Sequence, residues 1–314
     1  MRKIEIEMIF PEGIRRIISK VKNKLEGIWE IRLRSNQPVM LRTRTGDYFI
    51  EREEEPSTVC TKDCLCLLGR DLNDIFLHLC RYSVHAYEDE ITEGYITIEG
   101  GHRIGITGQA VFDKETGRLK AIRNVTSLNI RIANEILGNS DNIMRKVMRD
   151  GTFHNTLLIS PPGCGKTTML RDMIRNLSEG RQGRRAYHIG VVDERSEISG
   201  CAMGQIQNTI GTRTDVIINC PKIIGIRMII RAMNPEIIAA DELGSTQEWE
   251  EIIRAGFCGC KVLATIHGTN LEDIKMQLAS GEEMLKTFTY FVVLSNRCGN
   301  GTAEGVFLRD GKLC

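Results

Sequence analysis

Apolar residues recur at helical spacing at Ile14, Ile17, Ile18, Val21 and Leu25, with lysines and arginines between them, which predicts an amphipathic helix. The period then shortens. Residues 28–34 alternate as a strand does, and residues 38–42 with 48–50 predict a following hairpin. A second helix is expected over residues 62–82. Residues 94–106 read as strand, Gly100-Gly101 turn and strand; Gly117 marks another turn and residues 127–132 another strand. This first portion is therefore expected to be α+β around an antiparallel sheet.

A helix over residues 133–150 leads to Gly151, and beyond it the rhythm changes. Apolar strands at 156–160, 186–193, 236–241 and 261–267 alternate with helical stretches, which predicts a parallel sheet with crossover helices. Residues 288–294 and 306–308, separated by the turn-rich residues 296–302, predict a terminal hairpin. With 314 residues to place, two domains are the expectation: an α+β domain over 1–140 and an α/β domain over 141–314.

Composition narrows the function classes. A formal charge of +1 gives no global reason to expect nucleic acid or an anionic membrane as partner. The most apolar region, residues 216–230, is interrupted by Lys222 and Arg227, so a membrane span is not expected there. The opening residues turn acidic too early for a signal peptide, which favours the cytosol. Eleven cysteines are scattered without the look of a disulfide framework. Cys60, Cys64, Cys66 and Cys80 match the spacing of a zinc knuckle only loosely and are read as buried or idle thiols.

The chemistry is concentrated in four places. Residues Ser160, Pro161, Pro162, Gly163, Cys164, Gly165, Lys166, Thr167 and Thr168 join an apolar strand to a helix through a Gly-rich turn. Such a turn aims backbone N–H groups and a helix N-terminus at one anion. Here the expected ligand is ATP: Lys166 reaches the β- and γ-phosphates and the Thr167 hydroxyl takes Mg²⁺. Ser160 stands where the usual pattern has its first glycine, which a small residue tolerates if its φ is negative. A second apolar strand ends in Asp241-Glu242. Parallel sheets gather ligands at the carboxyl ends of their strands, so Asp241 is expected to hold Mg²⁺ and Glu242 to activate water. A third strand ends in Asp193-Glu194, whose carboxylates either assist water and metal or pair with neighbouring arginines. A fourth ends at His267, placed to sense the γ-phosphate.

Taken in order, Arg227-Met-Ile-Ile-Arg231, Asn234-Pro-Glu, Asp241-Glu242 and Ala264-Thr-Ile-His267-Gly-Thr-Asn resemble the secretion ATPases of type II and type IV systems and their pilus-retraction relatives. That resemblance implies a RecA-like P-loop core, a smaller N-terminal domain that supplies arginines, and a homo-oligomer, a hexamer. Arg103, Arg123 and Arg131 match the arginine-bearing sheet and become candidates to neutralise transition-state charge. Val192-Asp-Glu-Arg-Ser-Glu-Ile, Arg213-Thr-Asp-Val, Cys220-Pro-Lys and Ala240-Asp-Glu-Leu-Gly are similar, more narrowly, to the stage III sporulation AA family, in which serine opens the loop. This implies an ATPase of endospore-forming bacteria, peripheral at the mother-cell face of the forespore outer membrane. Its partners would be integral membrane components of a sporulation channel complex, with no nucleic acid. Two other readings differ in class. A nucleic-acid-dependent ATPase would need stacking aromatics, against only 5% in this chain. An ATP-binding scaffold with little turnover would have no use for Glu242.

Overall fold

The computed structural model describes residues 6–51, 55–133, 135–277, 284–297 and 302–314. The opening residues and most of the turn expected over 296–302 lie outside that set. The chain forms two compact units, Met1–Asn134 with Gly200–Gln207, and Glu135–Ser199 with Asn208–Cys314.

The first unit is built on an antiparallel sheet. Its strands are β1 (Glu30–Arg34), β2 (Met40–Thr43), β3 (Gly46–Ile50), β4 (Pro56–Ser57), β5 (Tyr95–Ile98), β6 (His102–Phe112) and β7 (Leu119–Arg131), in the order β4-β3-β2-β1-β7-β6-β5. Helices α1 (Glu12–Lys22), α2 (Gly69–Leu79) and α3 (Glu88–Thr92) accompany it. Ile31, Leu33, Leu41, Ile104 and Ile130 of the sheet pack with Leu72, Ile75 and Phe76 of α2 and with Ile18 and Val21 of α1. The helix expected over 62–82 is shorter than its apolar pattern. Cys64, Cys66 and Leu67 bridge to Glu51, Pro38 and Ser35, so sheet pairing claims the first part of that segment. Conversely, β7 runs well before the expected residue 127, because its pairing with β6 continues through exposed positions that hydropathy does not mark.

In the second unit the expected helix over 133–150 contracts to α4 (Asp141–Val147). Asp172 accepts hydrogen bonds from the Gly138 and Ser140 N–H groups, 3.1 and 2.8 Å, and so fixes the chain before the helix as a loop. A small hairpin follows, β8 (Met148–Arg149) and β9 (Thr152–Phe153), turning through Asp150 and Gly151, both at positive φ as a two-residue Asp-Gly turn requires. The main sheet comprises β10 (Thr156–Ser160), β11 (Ile189–Asp193), β12 (Thr214–Ile218), β13 (Ile237–Ala240), β14 (Lys261–His267), β15 (Tyr290–Ser295) and β16 (Thr302–Leu308), in the order β12-β11-β13-β14-β10-β15-β16. All neighbours are parallel except β15 and β16, which form the terminal hairpin.

The central strands are apolar on both faces, as a covered parallel sheet demands. Leu158, Val191, Ala239 and Leu263 face α5 (Lys166–Glu179) through Met169, Met173 and Leu177. Leu157, Val192, Ile238 and Val262 face α6 (Lys222–Met233) and α7 (Thr246–Phe257) through Ile226, Ile229, Trp249 and Ile252. A short helix α8 (Leu271–Gln277) follows β14. This three-layer arrangement places the ends of β10, β11, β13 and β14 at one edge. Among the described residues no helix is long and apolar enough to cross a membrane.

Candidate active site

β10 stops at Ser160 and α5 starts at Lys166, leaving a five-residue turn whose Gly163 and Gly165 take φ of 74° and 75°. Only glycine adopts that backbone at little cost, so the two positions explain why the loop can curl around a ligand. Ser160 has no positive φ; it ends the strand, buried, and its hydroxyl donates to the Pro161 carbonyl at 2.7 Å. The substitution of the first glycine is therefore harmless to the backbone path. Lys166 and Thr167 fall in the first turn of α5, where unpaired N–H groups and the helix dipole favour an anion.

Strand register brings the other candidates to this turn. Ser160 lies opposite His267 in the β10–β14 pair, and Ala240 lies opposite Ala264 in the β13–β14 pair, so Asp241 and Glu242 emerge beside Thr265. The Lys166 ammonium sits 3.4 Å from Glu242 Oε1 and 3.1 Å from His267 Nδ1. His267 Nε2 is 2.9 Å from the same Glu242 oxygen, and Arg195 Nη1 donates to Glu242 Oε2 at 3.0 Å. Glu242 itself has a φ of 53°, an uncommon conformation for a non-glycine residue. Its N–H donates to Thr265 Oγ1 at 2.8 Å and to Asp241 Oδ1 at 3.1 Å, while the Leu243 N–H donates to the Thr265 carbonyl at 2.8 Å. The Thr265 hydroxyl in turn donates to Asp241. Burial opposes ionisation of Glu242. The charges of Lys166 and then His267, with Arg195 adding to them, override it and hold the carboxyl below the usual glutamate range.

The donor set fits a nucleotide phosphate with Mg²⁺. Among the described residues, Lys166 is a buried cation whose only acidic partner is a half-buried carboxylate. Thr167 Oγ1 donates to Asp241 Oδ2 at 2.6 Å, placing a hydroxyl and a carboxylate side by side, the hard oxygen pair that Mg²⁺ prefers.

Other candidates are engaged differently. Asp193 is buried. Its two oxygens accept from the N–H groups of Glu197 (2.9 Å), Ile198 (3.2 Å) and Ser199 (2.7 Å) and from the Ser199 hydroxyl (2.6 Å). These donors fill the roughly four acceptor positions a carboxylate offers. Glu194 pairs with Lys222. Arg103, Arg123 and Arg131 belong to the first unit: Arg103 lies 3.7 Å over the Tyr95 ring, and Arg123 and Arg131 are exposed on β7. Of the four clustered thiols, Cys64 and Cys80 are buried and Cys60 and Cys66 exposed. Thr265, Arg195, Lys222 and Glu248 also touch this edge and are not among the candidates the sequence marks. For Glu248 a signal existed, since Ser245-Thr-Gln-Glu248 is a capping box.

A parallel sheet that collects a Gly-Lys-Thr loop, an Asp-Glu pair and a histidine at one edge defines the RecA-like P-loop fold of the secretion and pilus ATPases. Solved structures agree: the Legionella pneumophila ATPase DotB superposes with a TM-score of 0.58 at 14% identity, over 90% of this chain and 76% of that one. The pilus retraction motor PilT, solved with bound ADP, gives 0.55 at 17% identity over 92% and 78%. Within that fold, the chain belongs to the family Sporulation stage III, protein AA, whose model matches residues 1–314. It is 34% identical over 313 residues to the stage III sporulation protein AA of Bacillus subtilis (strain 168), covering 98% of this chain and 96% of that protein.

Proposed function

We propose that the chain is an ATP-hydrolysing, ring-forming motor that energises a membrane channel complex between mother cell and forespore during sporulation. The observation that carries this reading is the contact of Lys166 with both Glu242 and His267 at the mouth of the phosphate loop. Phosphate on the loop competes for the Lys166 ammonium. As that cation turns to the phosphate, Glu242 Oε1 is released to accept a proton from water, while Arg195 keeps the second oxygen oriented. Mg²⁺ bound through Thr167 and Asp241 would neutralise charge on the β- and γ-phosphates. His267, freed from the same ion pair, is placed to donate to the γ-phosphate and to register its loss. Asp193 supports the adjacent loop, and Glu194 acts through Lys222. Arg103, Arg123 and Arg131 are proposed to bring positive charge to the nucleotide from another unit or subunit of a hexamer. Family membership supports the sporulation setting, a peripheral position at the mother-cell face of the forespore outer membrane, and integral membrane components as partners.

The test is ATP hydrolysis measured against protein concentration, with Lys166→Ala and Glu242→Gln as controls. Specific activity is expected to rise as rings assemble and to fall steeply in both variants. A flat concentration dependence would remove the ring. Nucleotide binding without turnover at any concentration would leave a scaffold, and salt-sensitive retention on single-stranded DNA would point to a nucleic-acid motor instead.

A further inference from the structure

Lys222 is the first residue of α6, a poor place for a cation because the positive end of the helix dipole lies there. It is nevertheless buried, and its ammonium is held by Glu194 and, at 3.3 Å, by Glu248. Burial by itself would lower its pKa; the two carboxylates more than reverse this, and Lys222 stays charged. A Cβ on Gly225 would come within 2.6 Å of Val192 Cγ1, so α6 rests directly on β11.

Glu248 extends the link. Its Oε2 accepts from the N–H groups of Gly244 at 2.7 Å and Ser245 at 3.0 Å, and the Ser245 hydroxyl accepts from the Glu248 N–H at 3.3 Å. A capping box for α7 needs only the reciprocal bonds between Ser245 and Glu248. The bond to Gly244 and the partly buried ion pair with Lys222 go beyond it, and an ion pair drawn out of water is a weak way to gain stability. What they do accomplish is local. They fix the turn that starts at Glu242, whose own φ is 53°, and tie it to the end of β11 through Glu194.

We infer that Lys222 is a positioning residue: through Glu248 it holds the Gly244-Ser245 backbone so that the Glu242 carboxylate stays aimed at Lys166 and His267. The inference rests on the ATP-hydrolysing reading for its kinetic consequence but has a structural readout of its own.

The experiment compares wild type with Lys222→Met and Glu248→Gln in steady-state ATP hydrolysis, in binding of a fluorescent ADP analogue, and in amide hydrogen exchange. Misplacing a reacting group lowers turnover while leaving ground-state binding alone. Both variants are expected to lose about tenfold or more in kcat, with KM for ATP and ADP affinity changed by less than about twofold. The double variant should lose little more than either single one, because the two side chains act as one link. Exchange should accelerate over residues 242–246 and stay unchanged over 156–168. Unchanged exchange over 242–246 overturns the inference, as does a fall in ADP affinity that matches the fall in kcat. Should Lys222→Met fail to fold, Lys222→Gln and Glu248→Gln carry the same comparison. A wild type without turnover overturns the ATPase reading, and hydrogen exchange then decides the positioning claim alone.

Discussion

Strands β11 and β13 are neighbours in the sheet, and the chain carries Asp-Glu at the end of each, yet the two acid pairs are spent in different ways. Asp193 takes three backbone N–H groups and a serine hydroxyl from the loop that follows it. Asp241 takes two threonine hydroxyls and the Glu242 N–H. The distinction is chemical. Backbone N–H groups are fixed donors, and a carboxylate saturated by them is part of the loop's framework. Hydroxyls rotate, and Thr167 can turn its oxygen toward a cation without losing its place. The glutamates diverge likewise: Glu194 lies against Lys222, whereas Glu242 meets Lys166, His267 and Arg195 at the phosphate loop. Two similar sequence signals thus yield one loop clamp and one pair of carboxylates facing the phosphate loop.

The sharpest way to break this contrast is to neutralise one acid from each side. Glu242→Gln is expected to lower ATP turnover by about 10²–10⁴-fold, the range of lost general-base help, with little change in thermal stability. Asp193→Ala is expected to do the reverse. Stranding buried N–H groups costs about 1–3 kcal/mol each, so denaturant titration should show a loss of roughly 3 kcal/mol or more. Residual turnover, measured on whatever protein remains folded, should be far better preserved than in Glu242→Gln. A stable Asp193→Ala protein without turnover would dissolve the distinction.

The strands of this sheet also differ in how far they can be read in advance. β10 and β14 were expected at the residues where they occur, because each is a continuous apolar run bounded by polar loop residues. β12 is not among the expected strands; it overlaps the apolar stretch 216–230 only in part. Its residues are only half-covered at the sheet edge, and Pro221 alone marks the change into α6. In the candidate site, Lys166, Asp241, Glu242 and His267 sat in contiguous motifs and were legible. Lys222 and Arg195 were not, since what gives them meaning is contact across 26 to 47 positions of chain. Sequence points to Asp241 as a metal ligand but leaves the role of Asp193 open, because that role depends on which donors the loop folds toward it.

A smaller effect separates the clamp-like role of Glu248 from simple helix capping. Burial resists its ionisation, but the Gly244 and Ser245 N–H groups and Lys222 together hold its pKa below the usual value. A carboxyl with a depressed folded-state pKa adds stability above its unfolded pKa, about 4.3, and loses it as pH falls through the folded value. Glu248→Gln should therefore be less stable than wild type near neutral pH, by about 1 kcal/mol as for a lost cap, and the gap should close in acid. A gap independent of pH would assign the residue to neutral capping alone.

The finest probe is Arg195, which comes from the β11 side but bonds to the acid of the β13 side. Its side chain is 62% exposed, so Arg195→Gln should change stability by less than about 0.5 kcal/mol. Its effect should appear in the pH dependence of turnover. Glu242 must be ionised to accept a proton, and Arg195 is one of the charges that keep it ionised, after Lys166 and His267. Removing it should move the acid limb of the kcat profile toward higher pH. Added salt should shrink that displacement, because an exposed charge is screened where the buried Lys166 is not. A loss of turnover as deep as that of Glu242→Gln, insensitive to salt, would instead place the Arg195 guanidinium on the nucleotide, and the β11 edge would then share the chemistry it is here denied.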